Sequence, residues 1–422
     1  MKENIRDTFL RELDSFYSKG EMPSHVSINM RHALTEHQKR LRSKGLAYSE
    51  RFEHTIDERG HEATFDFGAF QMTNATKHCN AVTDLTDGRS RLRVDDASDD
   101  VVYCHILDRA GDASYGSDAE RIIACPNCGN RTAAKDAVNG CPMCGTKFKI
   151  DDLYPCVNTY YSMIFPMPKQ NSVEQSMHTA TIIGVAVGLI TALIVGIVMA
   201  IGGYNAWIIA FAAPISGGLC GWATFLISFM IGNAVISAKV VVGVARMAAD
   251  TLDMAGATSS RRKTEAAVKP FDPDFSFDIF EGKILSAIRT IAYSDDRAHC
   301  SLYAGSDDLS YMDDLVSIRY RGACRFDNAG LAGDFLQVAM TVFLDNVYYS
   351  NGQFLRRKEN FQVLLVRHKA ARTPVVFSAY SVNCSKCGGT FDSILSRQCP
   401  FCGNNFVLSN LDWTIVGINR TH

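Results

Sequence analysis

An α+β protein of several units, carried on a membrane by one helical hairpin, follows from three features of the sequence. The sixty residues from Thr179 to Ala238 contain no Asp, Glu, Lys, Arg or His. Paired Cys-x-x-Cys knuckles stand on either side of that stretch, at Cys125, Cys128, Cys141 and Cys144 and again at Cys384, Cys387, Cys399 and Cys402. Beyond residue 270, a helical apolar stripe is followed by long runs of strand-like alternation. The 422 residues suit two or three folded units, and a net charge of −2 argues against a broad nucleic-acid surface. No nucleic-acid partner is therefore expected.

Residues 1–119 read as a small α+β region of unassigned role. Ile5, Phe9, Leu10, Leu13, Phe16 and Tyr17 fall on one helical face. A second helix spans Arg31 to Arg42, and its cluster of Lys39, Arg40 and Arg42 reads as a solvated face. Short apolar segments, Thr64 to Met72 and Val101 to Leu107, read as strands separated by acidic turns such as residues 95–100. His78-Cys79 and Cys104-His105 are poor metal sites as neighbouring pairs. Adjacent strand residues point to opposite faces, so each pair offers one ligand.

Residues 120–168 hold the first set of knuckles and a following segment. Twelve residues separate Cys128 from Cys141, and a Gly follows the second Cys of each knuckle, where the tight turn needs positive φ. Four thiolates so spaced close a tetrahedron around one structural zinc. The aromatic run from Tyr160 to Phe165 fits either a membrane interface or packing on the ribbon. The other six cysteines, Cys79, Cys104, Cys156, Cys220, Cys300 and Cys324, read as small buried hydrophobes.

The hairpin, residues 179–238, divides at Gly202-Gly203-Tyr204-Asn205 into spans of about 179–201 and 206–231. Each exceeds the roughly 20 apolar residues that cross a bilayer as a helix. Gly184-x-x-x-Gly188 and Gly217-x-x-x-Gly221 allow close packing of the two helices, or self-association of the protein. Lys169 precedes the hairpin, and Lys239, Arg246, Arg261, Arg262 and Lys263 follow it, while the turn is uncharged. The positive-inside rule then puts both termini in the cytoplasm of a two-span cell-membrane protein. Residues 239–269 read as helix continuing to about Leu252 and then a linker rich in small residues, with Arg261 to Lys263 available to anionic lipid but fewer than the usual cluster of about four to eight basic residues.

In residues 270–422, Ser276 is a candidate N-cap for a helix striped by Phe280, Ile284, Ile288 and Ile291. A helical segment is expected near Asp307 to Ile318. Strands follow at 336–345, 361–368 and 375–382, with a hairpin turn at Asn351-Gly352. The second set of knuckles, 384–402, has eleven residues between Cys387 and Cys399 and reads as a zinc ribbon inserted between neighbouring strands, before the Trp413 strand. Any part of the sheet face left uncovered by the helix would make an apolar concavity. Asp345, Arg367 and His368 are acid–base candidates without catalytic spacing, and Asp345 and His368 read as solvent-facing strand residues.

The segment Asp272-Pro-Asp-Phe-Ser276, its helix, the long hairpin and the Trp413 strand resemble the family of translocase-of-the-inner-membrane subunit 44. The ribbon beginning Cys384-Ser-Lys-Cys387-Gly is shared with bacterial zinc-ribbon membrane proteins that join such a domain to a hydrophobic hairpin. The resemblance covers residues 120–422 and implies a cone-like C-terminal domain of the nuclear-transport-factor-2-like type. It also implies an adaptor role in protein transport or membrane assembly, with two zinc ions and a protein or lipid partner. An enzyme, or a binder of a small ligand in the cone, is the alternative.

Overall fold

The computed structural model describes every residue except 1, 55–60, 68–69, 96–99, 110–121, 126, 139, 147–152, 165–169, 254–256, 373–378 and 422. The first half opens with α1 (Lys2–Lys19) and α2 (Ile28–Ser43). Its sheet is antiparallel, in the order β1 (Ala47–His54), β3 (Phe70–Thr86), β5 (Asp100–Arg109), β8 (Cys156–Ile164). The short strands β2 (Glu62–Phe67) and β4 (Arg91–Asp95) pair with opposite ends of β3, which at seventeen residues outruns its other neighbours. The expected strand from Thr64 to Met72 is thus a hairpin. The expected face of α1 is buried, with Phe9 and Leu13 at 0% exposure against Ala75, Cys79, Val102, Cys104 and Val157.

Between β5 and β8 the chain makes the first knuckle unit, with β6 (Ile122–Ala124) and β7 (Arg131–Ala133) forming its own small ladder. Tyr160 and Tyr161 of the aromatic run do not pack on that unit: they lie in β8, which pairs with β5 at the edge of the N-terminal sheet.

Next come α3 (Gln170–Ile201) and α4 (Ala206–Asp253), joined by the turn at 202–205. Within them, Val173–Ile201 and Ala206–Ala238 are long and apolar enough to span a membrane. The glycines set their approach: a Cβ on Gly188 would stand 2.8 Å from the Gly217 carbonyl oxygen, and one on Gly184 2.8 Å from that of Gly221. The paired glycines therefore serve packing within the hairpin. The rest of its surface is apolar and open, as Leu189 (68%), Phe211 (66%) and Trp222 (64%) illustrate.

The expected linker is instead α5 (Ser260–Val268), docked on the second half. Val268 is fully buried, and Ser260 Oγ accepts the Phe326 N–H at 2.8 Å. Arg261 pairs with Asp278 rather than facing lipid. Then come α6 (Phe277–Tyr293) and an antiparallel sheet in the order β9 (Leu315–Ala332), β10 (Phe335–Ser350), β11 (Gln353–His368), β14 (Thr414–Thr421). Ser276 holds the N-cap position without a side-chain cap bond. Asn351 (φ 52°) and Gly352 (φ 74°) make the expected tight hairpin turn. The expected helix near 307–318 is one turn of 3-10 helix, Ser310–Met312, because the apolar residues from Leu315 onward join the sheet. Residues 373–378, most of the expected strand at 375–382, lie outside the described residues.

The helix stripe and the alternating face of β10 meet: Leu336, Val338, Met340, Val342 and Leu344 are all 2% exposed or less, in one cluster with Phe280, Ile284 and Ile288. The expected apolar concavity is therefore filled. The helix, together with Trp413, Ile415 and Ile418 from the far edge, packs on the face, and the cavity between Phe280, Ile284, Leu365, Trp413 and Ile415 is about 30 Å³.

The two halves repeat one plan. In each, a helix covers a meander of three long strands, a knuckle unit interrupts the chain, and a fourth strand returns to pair with the third. The agreement extends to single hydrogen bonds. Val26, in the segment after α1, bridges in parallel to Val157, the second residue of β8, through Ser27 N–H to Val157 O (3.0 Å) and Val157 N–H to His25 O (2.8 Å). Tyr303, in the segment after α6, bridges in the same way to Ile415, the second residue of β14, through Ala304 N–H to Ile415 O (2.8 Å) and Ile415 N–H to Leu302 O (2.9 Å). In each half the pairing of the third and fourth strands also shifts register beside that residue, opposite His105 and Ile106 of β5 in one half and Leu364 and Leu365 of β11 in the other.

Candidate metal centres and the seam between the halves

A Cys-x-x-Cys knuckle works because its backbone turns tightly enough to aim two sulfurs at one point. All four knuckles turn alike. The first Cys accepts the N–H of the residue four places on, at 2.9 Å in each: Gly129 on Cys125, Gly145 on Cys141, Gly388 on Cys384 and Gly403 on Cys399. Those glycines have φ of 71°, 70°, 74° and 68°, the left-handed region where a side chain would be strained. Each first Cys then donates its own N–H to the carbonyl five places on, as in Cys125 to Asn130 O at 2.8 Å.

The sulfurs converge in two groups of four. Cys125 Sγ lies 3.7 Å from Cys144 Sγ and Cys128 Sγ 3.6 Å from Cys141 Sγ. In the second group, Cys384–Cys402 and Cys387–Cys399 are each 3.6 Å apart. A tetrahedral metal with metal–sulfur bonds of about 2.3 Å has edges of about 3.8 Å, which these separations approach. Disulfide sulfurs would stand at about 2 Å. Backbone N–H groups of Asn127, Met143 and Lys386 point at Cys125, Cys141 and Cys384 Sγ from 3.4 Å, the arrangement that supports negative sulfur. In each unit both first cysteines are buried, whereas Cys128, Cys144 and Cys387 are exposed and Cys402 is half-buried. Both clusters can hold a metal ion, on the eight residues that the spacing singles out.

The acid–base candidates do not converge. Asp345 is buried, contrary to expectation, because Arg356 across the strand pair grips it at 2.9 and 3.0 Å. Arg367 is 1% exposed, bonds Asp272 at 2.7 Å and lies 4.8 Å over the Trp413 ring. His368 packs its ring on Phe335. Arg367 pairs with Leu336, nine residues along β10 from Asp345, so about 30 Å of strand separates the two.

What the sequence conceals is the seam between the halves. Arg40, expected on a solvated face, is 3% exposed. Its guanidinium reaches the carbonyls at the end of α6, with Nε to Tyr293 O at 3.3 Å and Nη2 to Ala292 O, which Arg297 also serves, and to Ser294 O at 3.4 Å each, and also reaches Asp313 O. A cation is favourable there, where the helix dipole is negative. One turn earlier on α2, His37 stacks on Tyr293 with centroids 4.4 Å apart. Its Nε2 donates to Val316 O at 2.7 Å, leaving Nδ1 to accept from the Tyr17 hydroxyl at 2.9 Å. Burial holds the His37 pKa down at about 4. Glu50, also at the seam, accepts from Tyr160 at 3.0 Å and Tyr48 at 3.2 Å, and burial pushes its pKa up. His37, Glu50 and the Tyr17, Tyr48, Tyr160 and Tyr293 rings line a cavity of about 40 Å³, room for little more than a water or two. Helical periodicity marked α2, but nothing in one sequence says which polar residues meet a partner 250 residues away.

Compared with protein-family models, curated proteins and solved structures, the chain matches none.

Proposed function

We propose that the protein is a membrane-anchored, zinc-binding adaptor whose two halves form one body on the cytoplasmic side and bind a protein or lipid at the membrane surface. One observation carries this reading. The chain before the apolar hairpin and the chain after it pack on each other through Arg40, His37 and the α6 terminus. Two segments so joined lie on the same side of any bilayer, and a two-helix hairpin is the element that returns the chain to its starting side. The open apolar surface of α3 and α4 supports insertion, since exposed apolar area on that scale is costly in water. Basic residues on both flanks of the hairpin and none in its turn support the cytoplasmic orientation.

Zinc is the metal that four thiolates in a closed tetrahedron favour, and with no open position its role is structural. Binding without chemistry is supported by the dispersal of Asp345, Arg367 and His368 into separate pairs and contacts. The partner meets the outer surface rather than a cone interior, because the face of β10 is covered. A role in protein transport rests on the resemblance alone. The test is to reconstitute the full chain in vesicles and titrate it with membrane extracts, following both capture and consumption. Saturable capture of a protein or lipid without turnover is expected. Turnover of a small molecule, abolished by His368→Ala, would overturn the reading in favour of an enzyme.

A further inference from the structure

A third group of ligand-type side chains lies where the halves meet. Along β5, Cys104 faces the α1 core, which turns its neighbour His105 to the opposite face of the sheet. There it meets the first turns of α6, on which Asp278 and Glu281 stand three residues apart and so on one face. One ligand atom from each of the three, an imidazole nitrogen and two carboxylate oxygens, lies within 4.8 Å of the others. His105, Asp278 and Glu281 are 4%, 3% and 9% exposed.

Acidic clusters are common and mean little alone. Here a second observation points to a ligand: His105 Nδ1 is fully buried and has no hydrogen-bond partner. Folded proteins rarely leave such an atom unused, and an imidazole beside two carboxylates is a ready metal donor. The surroundings also supply the second shell that metal-binding carboxylates need. Tyr320 donates its hydroxyl to Glu281 Oε1 at 2.5 Å, and the Cys324 thiol stands 3.5 Å from the same oxygen.

We propose that His105, Asp278 and Glu281 form a third metal site, distinct from the thiolate clusters, that takes a divalent first-row ion and ties the halves together. One imidazole and two carboxylates suit manganese or iron(II), and the absence of thiolate from the three ligands sets the site apart from the zinc clusters in metal preference. Arg261 is the built-in competitor. It is bound to Asp278 through both terminal guanidinium nitrogens and lies over the Phe277 ring, yet its own side chain is 47% exposed. An entering cation displaces it.

The competition supplies a test that a purely structural ion pair would fail. The full chain, purified in detergent with its thiolate clusters loaded with zinc, is titrated with Mn²⁺ and free Mn²⁺ is read by electron paramagnetic resonance. One Mn²⁺ per chain is expected, at least tenfold weaker in His105→Ala and in the isosteric Glu281→Gln, and several-fold tighter in Arg261→Ala. The zinc content of all variants should stay at that of the parent. No uptake by either the parent or Arg261→Ala at millimolar Mn²⁺ would overturn the proposal. So would uptake that folded Glu281→Gln retains unchanged.

Discussion

Arg40 donates through Nε to the carbonyl oxygen of Tyr293, 253 residues away, at 3.3 Å. The bond ends the dipole of α6 with a charge borrowed from α2, and it fastens the half before the hairpin to the half after it. Arg40→Ala should strip the Tyr293, Ser294 and Asp313 carbonyls of this donor and destabilise the protein by about 3 kcal/mol. Arg40→Lys should recover only part, since an ammonium cannot reach that many acceptors. Thermal unfolding in detergent checks the size of the effect. Limited proteolysis should show the halves separating before either melts, and a variant as resistant as the parent would show that the seam does not depend on Arg40.

Metal content is the next expectation. Purified without chelators, the protein should carry about two zinc ions in its thiolate clusters. Cys128→Ser or Cys399→Ser should lose one of them and unfold the local unit, since structural zinc supplies roughly 10–16 kcal/mol of apparent binding free energy. Elemental analysis giving less than about one zinc per chain would contradict the assignment of the metal.

Acid should loosen the seam. Burial holds His37 down at about 4 and His32, whose ring lies 5.3 Å from that of Tyr380, at about 3. Above the usual histidine pKa of about 6.5, folded and unfolded rings are both neutral and contribute no pH dependence. Below it the unfolded rings take protons that the folded ones refuse, so stability falls with pH by up to about 1.4 kcal/mol per unit for each ring. The loss levels off only near the folded values. Arg289 and the Tyr17, Tyr48 and Tyr293 rings face His37, and Lys39 and Glu36 neighbour His32. His37→Gln should flatten the profile between pH 6.5 and 4, as chemical denaturation at a series of pH values would reveal.

Within the hairpin, Gly188→Val should force the helices apart, because a Cβ there would stand 2.8 Å from a backbone oxygen that cannot yield. Overpacking of this kind costs about 1–3 kcal/mol. Gly218→Val, on the same pair of helices but with open space around its Cβ position, should cost little. Equal melting temperatures for the two variants in detergent would contradict the close packing.

These outcomes divide along the line between what the sequence reveals and what it conceals. Local signals were legible: knuckle spacing located all eight sulfurs, the absence of charge from Thr179 to Ala238 located the hairpin, and Asn351-Gly352 fixed a turn. Long-range pairing was not. Tyr160-Tyr161 reads as interfacial or ribbon-packing aromatics because nothing local shows that β5 lies 50 residues upstream awaiting a partner. Arg40 and Asp345 read as solvated because charge usually is, and only the fold brings the α6 terminus and Arg356 to them. His105 reads as a poor ligand because its strand pair with Cys104 offers only one donor to a face, and the two carboxylates beside it belong to α6, more than 170 residues on.

The central claim is that both halves occupy one side of a membrane, with only the turn at 202–205 emerging. Single cysteines at Asn205, Ser18 and Ser259, probed in intact cells with an impermeant thiol reagent against the parent background, test it directly. Labelling at Asn205→Cys from outside, with Ser18→Cys and Ser259→Cys labelled only after lysis, is the expected result. Ser18→Cys and Ser259→Cys on opposite sides would contradict the single body, and both labelled from outside would contradict its cytoplasmic placement.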